Sequence, residues 1–268
     1  MTTPLLEVQH LTKTFGRGSA QAIAVQDVSF TLAEGGALGI VGESGSGKTT
    51  TARMVIGLER PTGGRILFRG EDRTQPARGA RRLRERGRNI QIVFQDPYTS
   101  LDRRQRIGDC LAEVVAVHFK VGRDETKRRV RELGQLVGLD DRQLAALPKS
   151  LSGGQRQRVA IARALAAEPE ILILDEAVSA LDVSIQAQIL NLLSDIREKR
   201  GVSYLFISHD LAVIRQATDD TIVMRHGAVV EHGPTADVLD NPQDPYTRLL
   251  RDSVPREGWE PASITARR

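Results

Sequence analysis

The sequence predicts an α/β fold: a core with a mainly parallel sheet, an antiparallel β subdomain beside it, and an α-helical subdomain inserted into the core. The first observation is a set of apolar runs that each end in a polar residue. Ile90-Gln91-Ile92-Val93-Phe94 ends at Gln95, Ile171-Leu172-Ile173-Leu174 at Asp175-Glu176, and Tyr204-Leu205-Phe206-Ile207 at Ser208-His209. Strands buried on both faces of a parallel sheet read this way. The second is that the early strand patterns are joined by turns rather than helices, which is antiparallel connectivity. The third is a change of character between Pro97 and Pro148, where charged helical patterns replace strands. Residues 1–254 are expected to form one domain, with the helical subdomain at about 97–160, and residues 255–268 a loose tail.

In chain order, Leu6-Glu7-Val8, Ala24-Val25 and Val28 to Leu32 read as short strands, with Gly16-Arg17-Gly18-Ser19 as a turn. Glu34-Gly35-Gly36 turns into the apolar run Leu38-Gly39-Ile40-Val41, and Thr50 to Leu58 reads as the start of a helix. Pro61-Thr62-Gly63-Gly64 breaks the chain before a strand at Arg65 to Gly70. Val114 to Phe119, Asp124 to Val137 and Arg142 to Leu147 read as helices, as does Leu211 to Ala217. Ile222 to Glu231 reads as a hairpin turning at His226-Gly227.

The single cysteine, Cys110, excludes an internal disulfide and fits a reducing cytosol. Met1-Thr2-Thr3-Pro4 is uncharged and leads straight into a strand pattern, so no secretory signal is expected. No apolar run approaches the roughly 20 residues that a membrane-spanning helix needs. If the chain works at a membrane, something else must hold it there. Much of its net charge of +4 lies between Arg78 and Arg88. That run reads either as a surface for nucleic acid or anionic lipid, or as a solvated face.

Gly42-Glu43-Ser44-Gly45-Ser46-Gly47-Lys48-Thr49 follows a strand pattern and precedes a helical one, the setting that the phosphate-binding P-loop pattern requires. The plainer reading is a flexible Gly/Ser turn. As a P-loop, its glycines let successive N–H groups point inward as an anion nest at the positive end of a helix. Lys48 would reach the β- and γ-phosphates and Thr49 would ligate Mg²⁺, with Thr50 completing the cradle. Asp175 ends a buried strand as in a Walker-B motif, facing Mg²⁺ through water, and Glu176 is placed to polarise the attacking water. Ligands of parallel sheets sit outside the carboxyl ends of the strands. The P-loop, Gln95, Asp175-Glu176 and His209 are therefore expected to converge on one crevice. Leu151-Ser152-Gly153-Gly154-Gln155 opens an Ala-rich helix and makes a second anion-binding helix terminus. A single ATP does not easily need both from the same side.

With these motifs in this order, the chain resembles the ATP-binding-cassette (ABC) ATPases from about Leu5 to Arg251, with a P-loop NTPase core. The resemblance implies ATP and Mg²⁺ as ligands, with Thr49, Gln95 and, through water, Asp175 around the metal. It implies that Ser152, Gly153, Gly154 and Gln155 close over ATP held by a partner subunit. Ser179-Ala180-Leu181-Asp182 matches the D-loop, which brings Asp182 to the shared nucleotide. His209 matches the switch histidine, contacting the γ-phosphate and holding Glu176; a structural strand-end histidine is the alternative, as a surface position is for Gln95. Phe15 occupies the place of the aromatic that stacks on adenine, with a core role as the alternative. Ala177-Val178 replaces the frequent Pro-Thr without touching Asp175 or Glu176.

Val93 to Asp102, Asp182 to Leu193 and Asn241 to Leu250 resemble the ATPases of dipeptide, oligopeptide and nickel importers. Arg103 stands where a proline is usual, and the cysteine cluster of many members is absent, so no iron–sulfur cluster is expected. What this implies is an ATP-hydrolysing importer subunit, peripheral on the cytoplasmic face of the cell membrane. Its partners would be a second ATPase subunit, identical or related, two transmembrane permease subunits, and an extracytoplasmic solute-binding protein. A cytoplasmic permease helix would dock between Gln95 and the helical insert, and no nucleic acid is expected. The rival is a soluble ABC ATPase acting on nucleic acid or in translation. Lys48 to Leu151 has no room for the coiled coil of repair and chromosome members, and the chain holds one cassette where translation members usually hold two. A P-loop kinase or GTPase leaves Leu151 to Gln155 unexplained.

Overall fold

The computed structural model describes residues 4–16, 21–95 and 101–253. A six-stranded sheet has the order β10-β9-β3-β8-β7-β6. Its strands are β3 (Ala37–Val41), β6 (Ile90–Val93), β7 (Ile171–Asp175), β8 (Ser203–Ser208), β9 (Asp220–Arg225) and β10 (Ala228–Pro234). All neighbours are parallel except β10, which turns back on β9 as the expected hairpin. Every residue of β3, β7 and β8 is buried, which is why their sequences are apolar without alternation. Alternate residues still serve different cores. Leu172, Leu174, Tyr204 and Phe206 face one hydrophobic cluster, and Ile171, Ile173, Leu205 and Ile207 face the other.

The second cluster is closed by an antiparallel sheet of order β2-β1-β4-β5. It comprises β1 (Leu6–Phe15), β2 (Ala22–Leu32), β4 (Gly63–Phe68) and β5 (Glu71–Asp72). β1 is far longer than Leu6-Glu7-Val8. His10, at φ 49°, lies where the register with β2 shifts, and the bulge breaks the apolar alternation that would have marked one long strand.

Between the sheets runs α1 (Lys48–Ile56), which begins before the expected Thr50 because Gly47, at φ 102°, turns the chain into it. It stops before Leu58. Gly57 adopts φ 85°, and the amides of Gly57 and Leu58 bond to the carbonyls of Met54 and Arg53 at 3.1 and 2.8 Å, a Schellman end.

The arginine-rich run forms a helix, α2 (Ala80–Asn89), that burial periodicity does not announce, since none of its residues is buried. Arg78, Arg81, Arg82 and Arg84 are exposed, as both readings of the run require. At its far end Arg88 pairs with Glu168 at 3.3 Å and lies 4.6 Å from the ring centre of Phe119. Arg129 meets the same carboxylate at 2.9 Å and the same ring at 4.5 Å.

The first cluster is covered by α3 (Ile107–His118), α4 (Arg123–Leu136), α5 (Asp141–Ala145) and α6 (Gly153–Leu165), all lying between β6 and β7. α3 begins well before Val114, and α6 runs through residue 160 to Leu165. After β7 come α7 (Val183–Arg200) and α8 (Leu211–Ala217), the latter as expected; α9 (Thr235–Asp240) and α10 (Pro245–Asp252) follow the hairpin. Among the described residues no helix is long and apolar enough to cross a membrane. The expected turn at 17–19, the segment 96–100 after Gln95 and the tail at 255–268 lie outside the described residues.

Candidate functional site

β3 lies between β8 and β9, and its carboxyl end passes into the loop at Gly42. The glycines there are required by close approach rather than by flexibility. A Cβ on Gly42 (φ 151°) would lie 2.2 Å from the Met224 carbonyl oxygen, and one on Gly47 would lie 2.5 Å from that of Ala24. The hairpin also holds the loop directly, through the Gly227 amide donating to the Ser46 carbonyl at 3.0 Å. Lys48, 6% exposed, folds back over the loop, and its ammonium donates to the carbonyls of Gly42 (2.6 Å) and Glu43 (2.8 Å). Among the described residues it forms no ion pair with a carboxylate. Burial lowers its pKa, opposed by the charges of Glu176, Asp175 and Glu43. The Ser46 hydroxyl is buried with no hydrogen-bond partner. A glycine cradle, a desolvated cation held only by carbonyls and an orphaned hydroxyl fit a phosphate chain.

Beyond the ends of β7 and β8 the acidic groups gather. Thr49 Oγ1 donates to Asp175 Oδ1 at 3.1 Å. Burial raises the Asp175 pKa and the charge of Glu176 adds to it, against the Thr49 bond and the Arg53 and Lys48 charges. Glu176, at φ 52°, is held by its amide donating to the Ile207 carbonyl at 2.9 Å. Its carboxylate meets His209 Nδ1 at 2.8 and 3.0 Å. Gln95 Nε2 lies 3.5 Å from Ser179 Oγ, which donates to the Glu176 carbonyl at 2.9 Å. Thr50 is half-buried on the first turn of α1. Thr49, Asp175 and phosphate oxygens make a hard-oxygen donor set of the kind Mg²⁺ takes. Among the described residues no cluster of three or more His, Cys, Asp or Glu could hold a metal without them.

The other expected residues do not join this site within one chain. Ser152 and Gln155 form a reciprocal capping box on α6: Ser152 Oγ accepts the Gln155 amide at 3.2 Å, and Gln155 Oε1 accepts the Ser152 amide at 2.9 Å. A Cβ on Gly154 would lie 2.6 Å from Ile185 Cγ2, so this glycine serves the packing of α6 against α7. One on Gly153 would find only Leu181 at 3.9 Å. Asp182 caps α7, accepting the Ile185 amide at 2.9 Å. Phe15 is 42% exposed, with the Lys13 ammonium 4.8 Å from its ring centre, so it is not a core residue.

One contact at the loop carries no sequence signal of its role. Tyr246, on α10, accepts the Glu43 amide on its hydroxyl at 3.1 Å. Nothing in Asn241 to Leu250 marks it as a neighbour of the loop, although that stretch stands out as a subfamily feature.

The family model described as "ABC transporter" matches residues 25–179. A second, described as "Oligopeptide/dipeptide transporter, C-terminal region", matches residues 230–266. The chain is 44% identical to the oligopeptide transport ATP-binding protein OppF of Bacillus subtilis, over 95% of this chain and 84% of that one. It is 48% identical to a putative peptide import ATP-binding protein of Brucella abortus, over 91% of this chain and 73% of that one. Among solved structures it resembles the ATP-binding cassette MJ0796, a dimer in a post-hydrolysis state bound to ADP and Pi. That match has a TM-score of 0.77 at 28% identity and covers 86% of this chain and 98% of that one.

Proposed function

Because this chain belongs to the ABC transporter family, we propose that it is the ATP-hydrolysing subunit of an importer for peptides or a related solute such as nickel. It would sit peripherally on the cytoplasmic face of the cell membrane. The observation that carries the importer class is the C-terminal match at residues 230–266, which covers α9 and α10. A soluble cassette acting on nucleic acid or in translation does not account for that element.

In this reading the Lys48 ammonium reaches the β- and γ-phosphates from its seat on the Gly42 carbonyl, and the amides and hydroxyls of residues 42–50 line the phosphate chain. Thr49, Gln95 and, through water, Asp175 would hold Mg²⁺, which when bound would supply charge neutralisation at the phosphates. Glu176 orients water and accepts its proton, and His209 fixes the carboxylate that does so. Ser152 to Gln155 and Asp182 have no partner at this chain's own loop. They act on the nucleotide of a second ATPase subunit across a dimer, and Phe15 offers its exposed ring to adenine. Residues 1–254 act as one cassette, with the helices between β6 and β7 as its moving part. A cleft of about 800 Å³ lined by Phe94, Cys110, Glu113, Val114, Val117 and Arg163 receives a cytoplasmic helix of one of two permease subunits. An extracytoplasmic binding protein delivers the solute.

Extraction in mild detergent followed by affinity purification tests the reading. Two permease subunits should co-purify, and in proteoliposomes their ATPase rate should rise with peptide-loaded binding protein. Recovery with ribosomes or nucleic acid instead of permeases would sink it.

A further inference from the structure

The P-loop is braced from outside by a chain of contacts that begins in the hairpin and ends on Tyr246. The Glu231 carboxylate, on β10, accepts the amides of Gln243 (2.7 Å) and Asp244 (3.1 Å). Asp244 in turn caps α10, accepting the Tyr246 amide at 2.8 Å. Tyr246 is 4% exposed, with the Arg225 guanidinium 4.8 Å from its ring centre. So the ring has little freedom, and its hydroxyl is fixed 3.1 Å from the Glu43 nitrogen.

That nitrogen belongs to the peptide between Gly42 and Glu43. The carbonyl of the same peptide accepts the Lys48 ammonium at 2.6 Å. One rigid plane is thus held at both ends, by a tyrosine on the C-terminal element and by the lysine of the loop. Gly42, at φ 151°, has no Cβ to keep this peptide from turning. We propose that Tyr246 is a positioning residue for the nucleotide site: its hydroxyl fixes the Gly42–Glu43 peptide and, through that carbonyl, the place from which Lys48 reaches phosphate. The proposal rests on the nucleotide-site reading above and adds to it a residue of the C-terminal element, 203 positions away in sequence.

Tyr246→Phe keeps the ring, its burial and its contact with Arg225 while deleting the hydroxyl. ATP affinity of the purified full chain should fall about 3- to 10-fold, the weight of one neutral hydrogen bond. In the assembled transporter KM for ATP should rise by that factor with kcat unchanged, while the melting temperature of the nucleotide-free chain falls by no more than a few degrees. Because Tyr246 acts through Lys48, adding Tyr246→Phe to Lys48→Ala should change ATP affinity less than about twofold, the signature of a coupled pair. Equilibrium titration with ATP into the millimolar range measures all four chains of this cycle. An unchanged affinity in Tyr246→Phe, or an equal loss in both backgrounds, overturns the proposal. Should Lys48→Ala itself bind ATP as tightly as the parent chain, the nucleotide reading of the loop fails instead, so the two failures are distinguishable.

Discussion

His209 Nδ1 lies 2.8 and 3.0 Å from the two carboxylate oxygens of Glu176, joining the end of β8 to the end of β7. Glu176 is mostly enclosed, its side chain 15% exposed, while His209 is 63% exposed. The histidine therefore presents one nitrogen to the carboxylate and leaves the rest of its ring open to the crevice. That placement suits the orienting role proposed for His209.

Glu176→Gln should keep the shape and lose the base. Hydrolysis should slow by roughly 10²–10⁴, the usual weight of a positioned general base, while ATP affinity holds. An ATP-bound dimer should accumulate on a sizing column. Single-turnover hydrolysis near the parent rate would remove Glu176 from the mechanism.

Lys48→Ala should act on binding itself. A charge-assisted hydrogen bond to phosphate is worth about 1.5–3 kcal/mol, so affinity should drop roughly tenfold to a hundredfold. An equilibrium titration on the isolated chain checks this without any partner.

Gly153→Asp tests the shared site. Its Cβ has room beside Leu181 at 3.9 Å, whereas one on Gly154 would be driven into Ile185 at 2.6 Å. A carboxylate at residue 153 should therefore leave the fold and monomer affinity unchanged. Facing a partner's triphosphate away from water, it should block ATP-dependent dimerisation through like-charge repulsion. Loss of monomer binding together with dimerisation would mean that this turn serves its own chain's nucleotide.

Asp175→Asn carries a pH signature. Burial raises the Asp175 pKa above the ordinary 3.8, so the folded chain holds its proton at pH values where the unfolded chain has lost it. The ionised carboxylate thus costs stability at neutral pH, and the cost fades as pH falls through the raised value towards the ordinary one. The amide still offers an oxygen to Thr49. Nucleotide-free Asp175→Asn should melt a few degrees above the parent chain at neutral pH, and the two should converge near about pH 4. Mg²⁺-dependent hydrolysis should be lost. A melting difference independent of pH would assign the effect to packing rather than to charge.

The parts of this site legible in the sequence are those fixed by a buried strand. Asp175 and His209 follow apolar runs, and any sheet that buries those runs puts them on one edge. The loop at Gly42 to Thr49 is legible because its glycines and lysine each answer a separate demand of phosphate. Ser152 and Gln155 support two readings at once, since their spacing spells both a capping box and the opening of an anion-binding helix. Tyr246 and the Met224 carbonyl were out of reach, because they meet the loop only through the fold of the hairpin and α10. His10 hid the length of β1 by inserting one residue into its alternation. α2 escaped because a helix with no buried face leaves no apolar period to read.

Phe119, Glu168, Arg88 and Arg129 form the corner where α2 meets the helices that cover the first core. That corner is held by charge and by ring faces at the protein surface, where ions compete for the same partners. Its ion pairs are part-exposed, so raising the salt concentration should weaken the grip of Arg88 and Arg129 on Glu168 while Phe119 stays packed against the first core.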